Sequence, residues 1–132
     1  MRFIIRVIAF PLLLLYVSSY GQIQGQATLP KDVDISITKI DSVWKVVLTG
    51  TTNTAIHVVP GQKIIFHAEG TDVYFQFDRD SLFDGHKKFV KNGKKLILGV
   101  GKVAKGIYTY SAFCVGPMVF AEGDSPPKII VD

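Results

Sequence analysis

Cys114 is the only cysteine in this 132-residue chain, and Met118 follows it by four positions. A thiolate and a thioether are both soft ligands, and together they favour Cu(I). The same thiol would act as a nucleophile only if a base could reach it. The imidazoles that either chemistry would draw on are His57, His67 and His86, and their spacing fits no zinc pattern. None lies beside Cys114 in sequence. No Gly-x-Ser-x-Gly elbow or other reaction signature is present, so the chain is read as a non-enzyme. Asp78 to Gly85 has the acidic look of a calcium loop, but Leu82 stands fifth and Phe83 sixth, where an oxygen and a glycine are needed. It reads as a solvated turn.

The segments that must position these groups are short and alternate in polarity. In Gly106 to Cys114 a period of two puts Tyr108, Tyr110, Ala112 and Cys114 on one face. Similar runs occupy Val33 to Thr38, Trp44 to Thr49, Ala55 to Val59, Lys63 to Ala68, Asp72 to Asp78, Lys94 to Leu98 and Lys128 to Val131. Val73, Phe75, Phe77, Tyr108 and Tyr110 are expected to face inward. Asp41-Ser42 and Pro60-Gly61 read as turns, and Asn92-Gly93 is the strongest two-residue hairpin signal in the chain. No helical period is sustained after the first residues. About eight short strands with turns between them predict an all-β fold, an antiparallel Greek-key β-sandwich.

Four of these segments resemble the cupredoxins. Val59-Pro60-Gly61-Gln62-Lys63-Ile64-Ile65-Phe66 is similar to the segment in which a turn feeds a strand ending in a large aromatic. Val73-Tyr74-Phe75-Gln76-Phe77 is similar to the strand after the first copper histidine. Gly106-x-Tyr108-x-Tyr110 with Cys114 resembles the cysteine strand, with two extra residues before the thiol, and Ile129 to Val131 resembles the closing strand. The resemblance covers residues 55–132 and implies a cupredoxin-like sandwich. It also implies a copper site of two imidazoles, a thiolate and a weak axial ligand. The first imidazole would fall near Asp72 or Val73. The second would fall just past Cys114, where Val115, Gly116, Pro117 and Met118 stand. Only Cys114 carries over as a ligand type, with Met118 beside it as a soft neighbour. The expectation is therefore a binding or interaction module with a lost or degenerate copper site, and no cofactor. One alternative is an atypical copper-binding or electron-transfer protein using Cys114 and Met118. Another is an immunoglobulin-like adhesion module, since those domains also end in Gly-x-Tyr-x-Tyr strands.

Residues 1–27 carry Arg2 and Arg6, an apolar run from Val7 to Val17 and small residues after it, the order of a secretory signal peptide and leader. The run is shorter than the ~20 residues of a spanning helix and contains Pro11, so no stable membrane span is expected after processing. Residues 28–132 then form a single domain, secreted or periplasmic. Removing two arginines and no acid lowers the net charge from +4 to +2. Arg79 is the only arginine left, which argues against nucleic acid. Seven lysines from Lys87 to Lys105 offer either a basic face for a protein or anionic glycan partner, or protection of exposed sheet edges. A lone cysteine makes no internal disulfide, so the domain depends on its apolar core. The mature amino terminus is expected between Gln22 and Thr28. Intact-mass measurement of the exported protein checks this, and retention of Met1 to Val17 would contradict it.

Overall fold

The structure, a computed structural model, describes residues 30–124 and 126–132. The expected signal peptide and leader lie outside the described residues. The ten strands are β1 (Val33–Ile40), β2 (Val43–Leu48), β3 (Ile56–Val58), β4 (Lys63–Ala68), β5 (Val73–Phe77), β6 (Lys87–Val90), β7 (Lys95–Gly99), β8 (Gly106–Cys114), β9 (Val119–Phe120) and β10 (Lys128–Val131). They form a four-stranded sheet in the order β2-β1-β4-β7 and a six-stranded sheet in the order β3-β10-β8-β5-β6, with β9 paired to β8. The all-β sandwich expected from the sequence is the architecture observed. Its pairing is mixed rather than wholly antiparallel: β1 runs parallel to β4 and β10 runs parallel to β3. Alternation fixes which face of a strand is buried but says nothing about the direction of its neighbour.

The inner faces follow the alternation. Val73, Phe75 and Phe77 of β5 are buried while Tyr74 and Gln76 are exposed. Tyr108, Tyr110, Ala112 and Cys114 of β8 are all buried, as expected. From the smaller sheet, Phe66 of β4 reaches between the layers, its ring centroid 4.7 Å from that of Phe75 and 6.2 Å from that of Tyr110. Leu82 and Phe83 leave the acidic loop and enter the core, Phe83 meeting Phe77 edge-on at 4.8 Å. The Tyr108 hydroxyl donates to the Ala104 carbonyl at 2.6 Å, which fixes the connection into β8. The Tyr110 hydroxyl is buried with no hydrogen-bond partner among the described residues.

Two turns reverse the ranking of their sequence signals. Asp41 and Ser42 close the β1–β2 hairpin as a two-residue turn, both with positive φ (50° and 70°) and Ile40 opposite Val43. Asn92-Gly93, the stronger signal, closes no hairpin. Strand β6 pairs with β5, and β7 pairs with β4 in the other sheet. The Asn92-Gly93 turn instead crosses between the layers. Asn92 Oδ1 accepts from the Gly70 N–H, the Asn92 N–H donates to Asp72 Oδ1, and the Gly93 N–H donates to the Ala68 carbonyl. These three bonds tie it to the β4–β5 connection, and the strands diverge to separate partners. As a result β6 and β7, with Lys87, Lys88 and Lys95, each form one outer edge of their sheets, where lysine blocks pairing with other chains.

Phe75 is only 2% exposed and sits among Phe66, Phe77 and Tyr110. Phe75→Ala is expected to cost about 3–5 kcal/mol in denaturant unfolding, as truncation of a buried aromatic does. A loss under about 1 kcal/mol would remove it from the core.

Candidate functional site

The fold brings together the positions that the resemblance singles out. Val73, one of the two positions (with Asp72) near which the first imidazole would stand, is the direct cross-strand partner of Cys114. On the other side of β8, Cys114 pairs with Val119 of β9. The thiol is therefore flanked by two valines in the sheet, and it is fully buried. Burial pushes it up to about 11, away from the thiolate that a metal or an electrophile would need.

Met118 does not join it. The chain turns at Val115-Gly116-Pro117-Met118, with the Met118 N–H donating to the Val115 carbonyl at 3.2 Å. Met118 has φ of 56° and is 75% exposed. The turn is clamped at its start: the Val115 N–H donates to the Asp72 carbonyl, and the Gly116 N–H donates to Thr71 Oγ1 at 2.9 Å. A Cβ on Gly116 would come within 3.2 Å of that hydroxyl oxygen, so the close approach favours glycine. The clamp holds the loop against the β4–β5 connection, with Cys114 inside and Met118 outside.

The imidazoles are spread over the domain. His67 Nε2 lies 2.7 Å from Asp34 Oδ1 on the smaller sheet, on the less buried face expected for it. His57 Nδ1 lies 2.9 Å from Asp132 Oδ2. By register His57 faces Ile130, which faces Ile107, seven residues down β8 from Cys114. At ~3.3 Å per residue that is about 23 Å away. His86 donates from Nδ1 to the Phe77 carbonyl. Among the described residues no three His, Cys, Asp or Glu side chains converge as a metal group would need. One buried thiol with aliphatic neighbours does not fit the donor set of a cupredoxin copper.

What the sequence reading missed lies on the opposite face of the same strands. Phe89 of β6 faces Tyr74 of β5, Tyr74 faces Phe113 of β8, and Phe113 faces Phe120 of β9. Four aromatic side chains thus form one row across four strands on the solvent side of the larger sheet. Tyr74 is 54% exposed and Phe120 is 62% exposed. Tyr74 and Phe89 pack at 4.5 Å, and Phe113 and Phe120 at 5.1 Å. Beyond Phe120 a hollow of about 480 Å³ runs along Trp44, Val43 and Pro117. Tyr74 and Phe113 could be read from the sequence as outward members of their strands, whereas Phe89 and Phe120 lie in strands β6 and β9 that the sequence reading did not expect. Their alignment depends on the register, which the sequence does not give.

No family model matches the sequence, and no curated protein matches it. Among solved structures the chain is similar to the reduced Cu(I) form of an amicyanin variant, with a TM-score of 0.47 and 13% identity. That match covers 80% of this chain and 86% of that one. It is also similar to a second amicyanin variant with Cu(I), with a TM-score of 0.46, 14% identity, and 76% and 82% of the two chains covered. The copper belongs to those two proteins.

The Cys114 thiol keeps its proton in the fold to about pH 11, while its unshifted value is 9.0. Its contribution to stability is therefore fully present below pH ~9 and is lost as pH rises from there through about 11. Unfolding midpoints measured across this range should fall more steeply for the natural chain than for Cys114→Ala. Identical slopes would show that the thiol is not buried.

Proposed function

We propose that this chain is an exported binding module on a cupredoxin-like frame, working through the outer face of its larger sheet, with Cys114 as a packing residue. The row Phe89-Tyr74-Phe113-Phe120 carries the reading. Single exposed apolar residues are ordinary on a folded surface, but aligned large rings on one face mark a binding surface. The burial of Cys114 supports the other half of the reading, because a thiol inside the sheet cannot exchange ligands with solvent. The separation of Met118 from it supports the same conclusion. The export component rests on the order of residues 1–27.

The test is copper loading. The protein is mixed with Cu(II) or Cu(I), freed of excess, and assayed for bound metal and visible absorption. Retention no greater than that of Cys114→Ser is expected. Stoichiometric copper with intense thiolate absorption, lost in Cys114→Ser, would overturn the reading in favour of a copper protein.

A further inference from the structure

We propose that Asn92 is a site of spontaneous deamidation, gated by the contacts that hold the layer-crossing turn. The chain has two asparagines, Asn53 before Thr54 and Asn92 before Gly93. Before a glycine, the next backbone nitrogen meets no side chain on its way to the carboxamide carbon. A Cβ built on Gly93 would meet nothing within 4 Å, so the space beside that nitrogen is open. Asn92 and Gly93 are both exposed, and water and hydroxide reach them. Hydroxide takes the proton of the Gly93 N–H, and the nitrogen bonds to Asn92 Cγ. The Cγ–Nδ2 bond breaks and ammonia leaves, closing a succinimide ring. Water then adds to one of the two ring carbonyls and opens it to aspartate or isoaspartate. The net change is one water consumed and one ammonia released.

The fold holds both reacting groups elsewhere. The Gly93 N–H donates to the Ala68 carbonyl at 2.9 Å, and Asn92 Oδ1 accepts from the Gly70 N–H at 2.8 Å. The Asn92 N–H donates to Asp72 Oδ1 at 2.8 Å, and the Lys94 N–H closes the turn onto the Lys91 carbonyl at 2.9 Å. Gly93 has φ of 80° and Asn92 a negative φ, the pattern of a type II turn. Before the ring can form, the Gly93 N–H must leave Ala68 and the carboxamide must leave Gly70. The reaction therefore runs from an opened turn, and its rate follows the opened fraction. Asn92 Nδ2 has no partner among the described residues, so the hold comes from Oδ1 and the two backbone amides.

The turn's place in the fold gives the product its effect. Ala68 ends β4, and Gly70 and Asp72 lie in the connection to β5. The Asp72 carbonyl also receives the Val115 N–H from the loop after Cys114. Aspartate at position 92 keeps an oxygen for the Gly70 N–H. Its new charge has neighbours of both signs, Glu69 and Asp72 on the facing connection and Lys91 and Lys94 in the turn. Isoaspartate instead routes the main chain through the side-chain carbon and adds one backbone atom between positions 92 and 93. The two N–H groups then cannot both keep Asp72 and Ala68 as partners. The isoaspartyl product loosens the link between the layers, and the aspartyl product leaves it largely in place.

The experiment ages the natural chain, Asp72→Ala and a synthetic peptide of residues 88–97 side by side at mildly alkaline pH. Peptide mapping by mass spectrometry follows Asn92, with Asn53 as the internal comparison, and isoaspartyl methyltransferase labelling separates the two products. The natural chain should convert at Asn92, at least about tenfold more slowly than the peptide, because the closed turn must open first. Asp72→Ala removes one acceptor and should convert several-fold faster than the natural chain, while Asn53 stays unmodified. The isoaspartyl form, separated by ion exchange, should unfold at lower denaturant than the unmodified chain, with Asn92→Asp lying between them or level with the natural chain. Should Asp72→Ala fail to fold, the natural chain in urea below its unfolding transition decides the matter. Conversion must rise there, ahead of global unfolding. The proposal falls if the folded chain converts as fast as the peptide, or if Asp72→Ala converts no faster than the natural chain. It falls equally if Asn92 stays intact in both folded chains, if conversion rises only with global unfolding, or if the isoaspartyl form is as stable as the unmodified chain.

Discussion

The contact on which the domain depends is the meeting of Phe66 with the rings of the opposite sheet. Phe66 lies within 6.5 Å, centroid to centroid, of Phe75, Phe77, Phe83 and Tyr110. With a single cysteine, the chain has no internal cross-link to limit its unfolded state. The two layers are held by apolar burial and aromatic packing, and a sandwich of this size has little surplus stability. The burial of Cys114 follows from the same constraint. It occupies the last inward position of β8, so the packing that holds Tyr108, Tyr110 and Ala112 inside takes the thiol with them.

That packing separates two things a copper site would need together. The frame sets position 73 against position 114 and folds the following loop back over the sheet. The side chains delivered there are a valine and a buried thiol, and the clamp from Thr71 and Asp72 aims Met118 at solvent. A soft-ligand pair close in sequence therefore ends on opposite sides of a turn.

The inward set was legible from alternation, because a strand half-buried against a core must alternate. Val73, Phe75, Phe77, Tyr108 and Tyr110 all lie where that rule puts them. The fold class was legible for the same reason. The turns were not. Asp41-Ser42 adopts the two positive φ values of a tight hairpin without a glycine, since β1 and β2 pair along their whole length and impose it. Asn92-Gly93 has the composition of such a turn, but its side chain and amides bond to the 68–72 segment, and the competing edges of β4 and β5 draw β7 and β6 apart. Parallel pairing of β1 with β4 was equally hidden, because direction leaves no mark on polarity. The outer aromatic row needed three registers at once, and a sequence read strand by strand contains none of them.

The place of β10 governs the order in which the molecule can be assembled. It lies inside the larger sheet, parallel to β3 on one side and antiparallel to β8 on the other. Until residues 128–131 have been synthesised, β3 and the first half of β8 face a gap one strand wide. The final register joins residues some seventy positions apart, as Ile129 to Ile56. Such distant closure is slow, because the entropy of the intervening loop is spent before any contact repays it. A nascent chain halted short of β10 presents two unsatisfied edges, the geometry that recruits foreign strands. The lysines of β6 and β7 guard one rim of each sheet, but they leave this inner seam unprotected, and only β10 closes it.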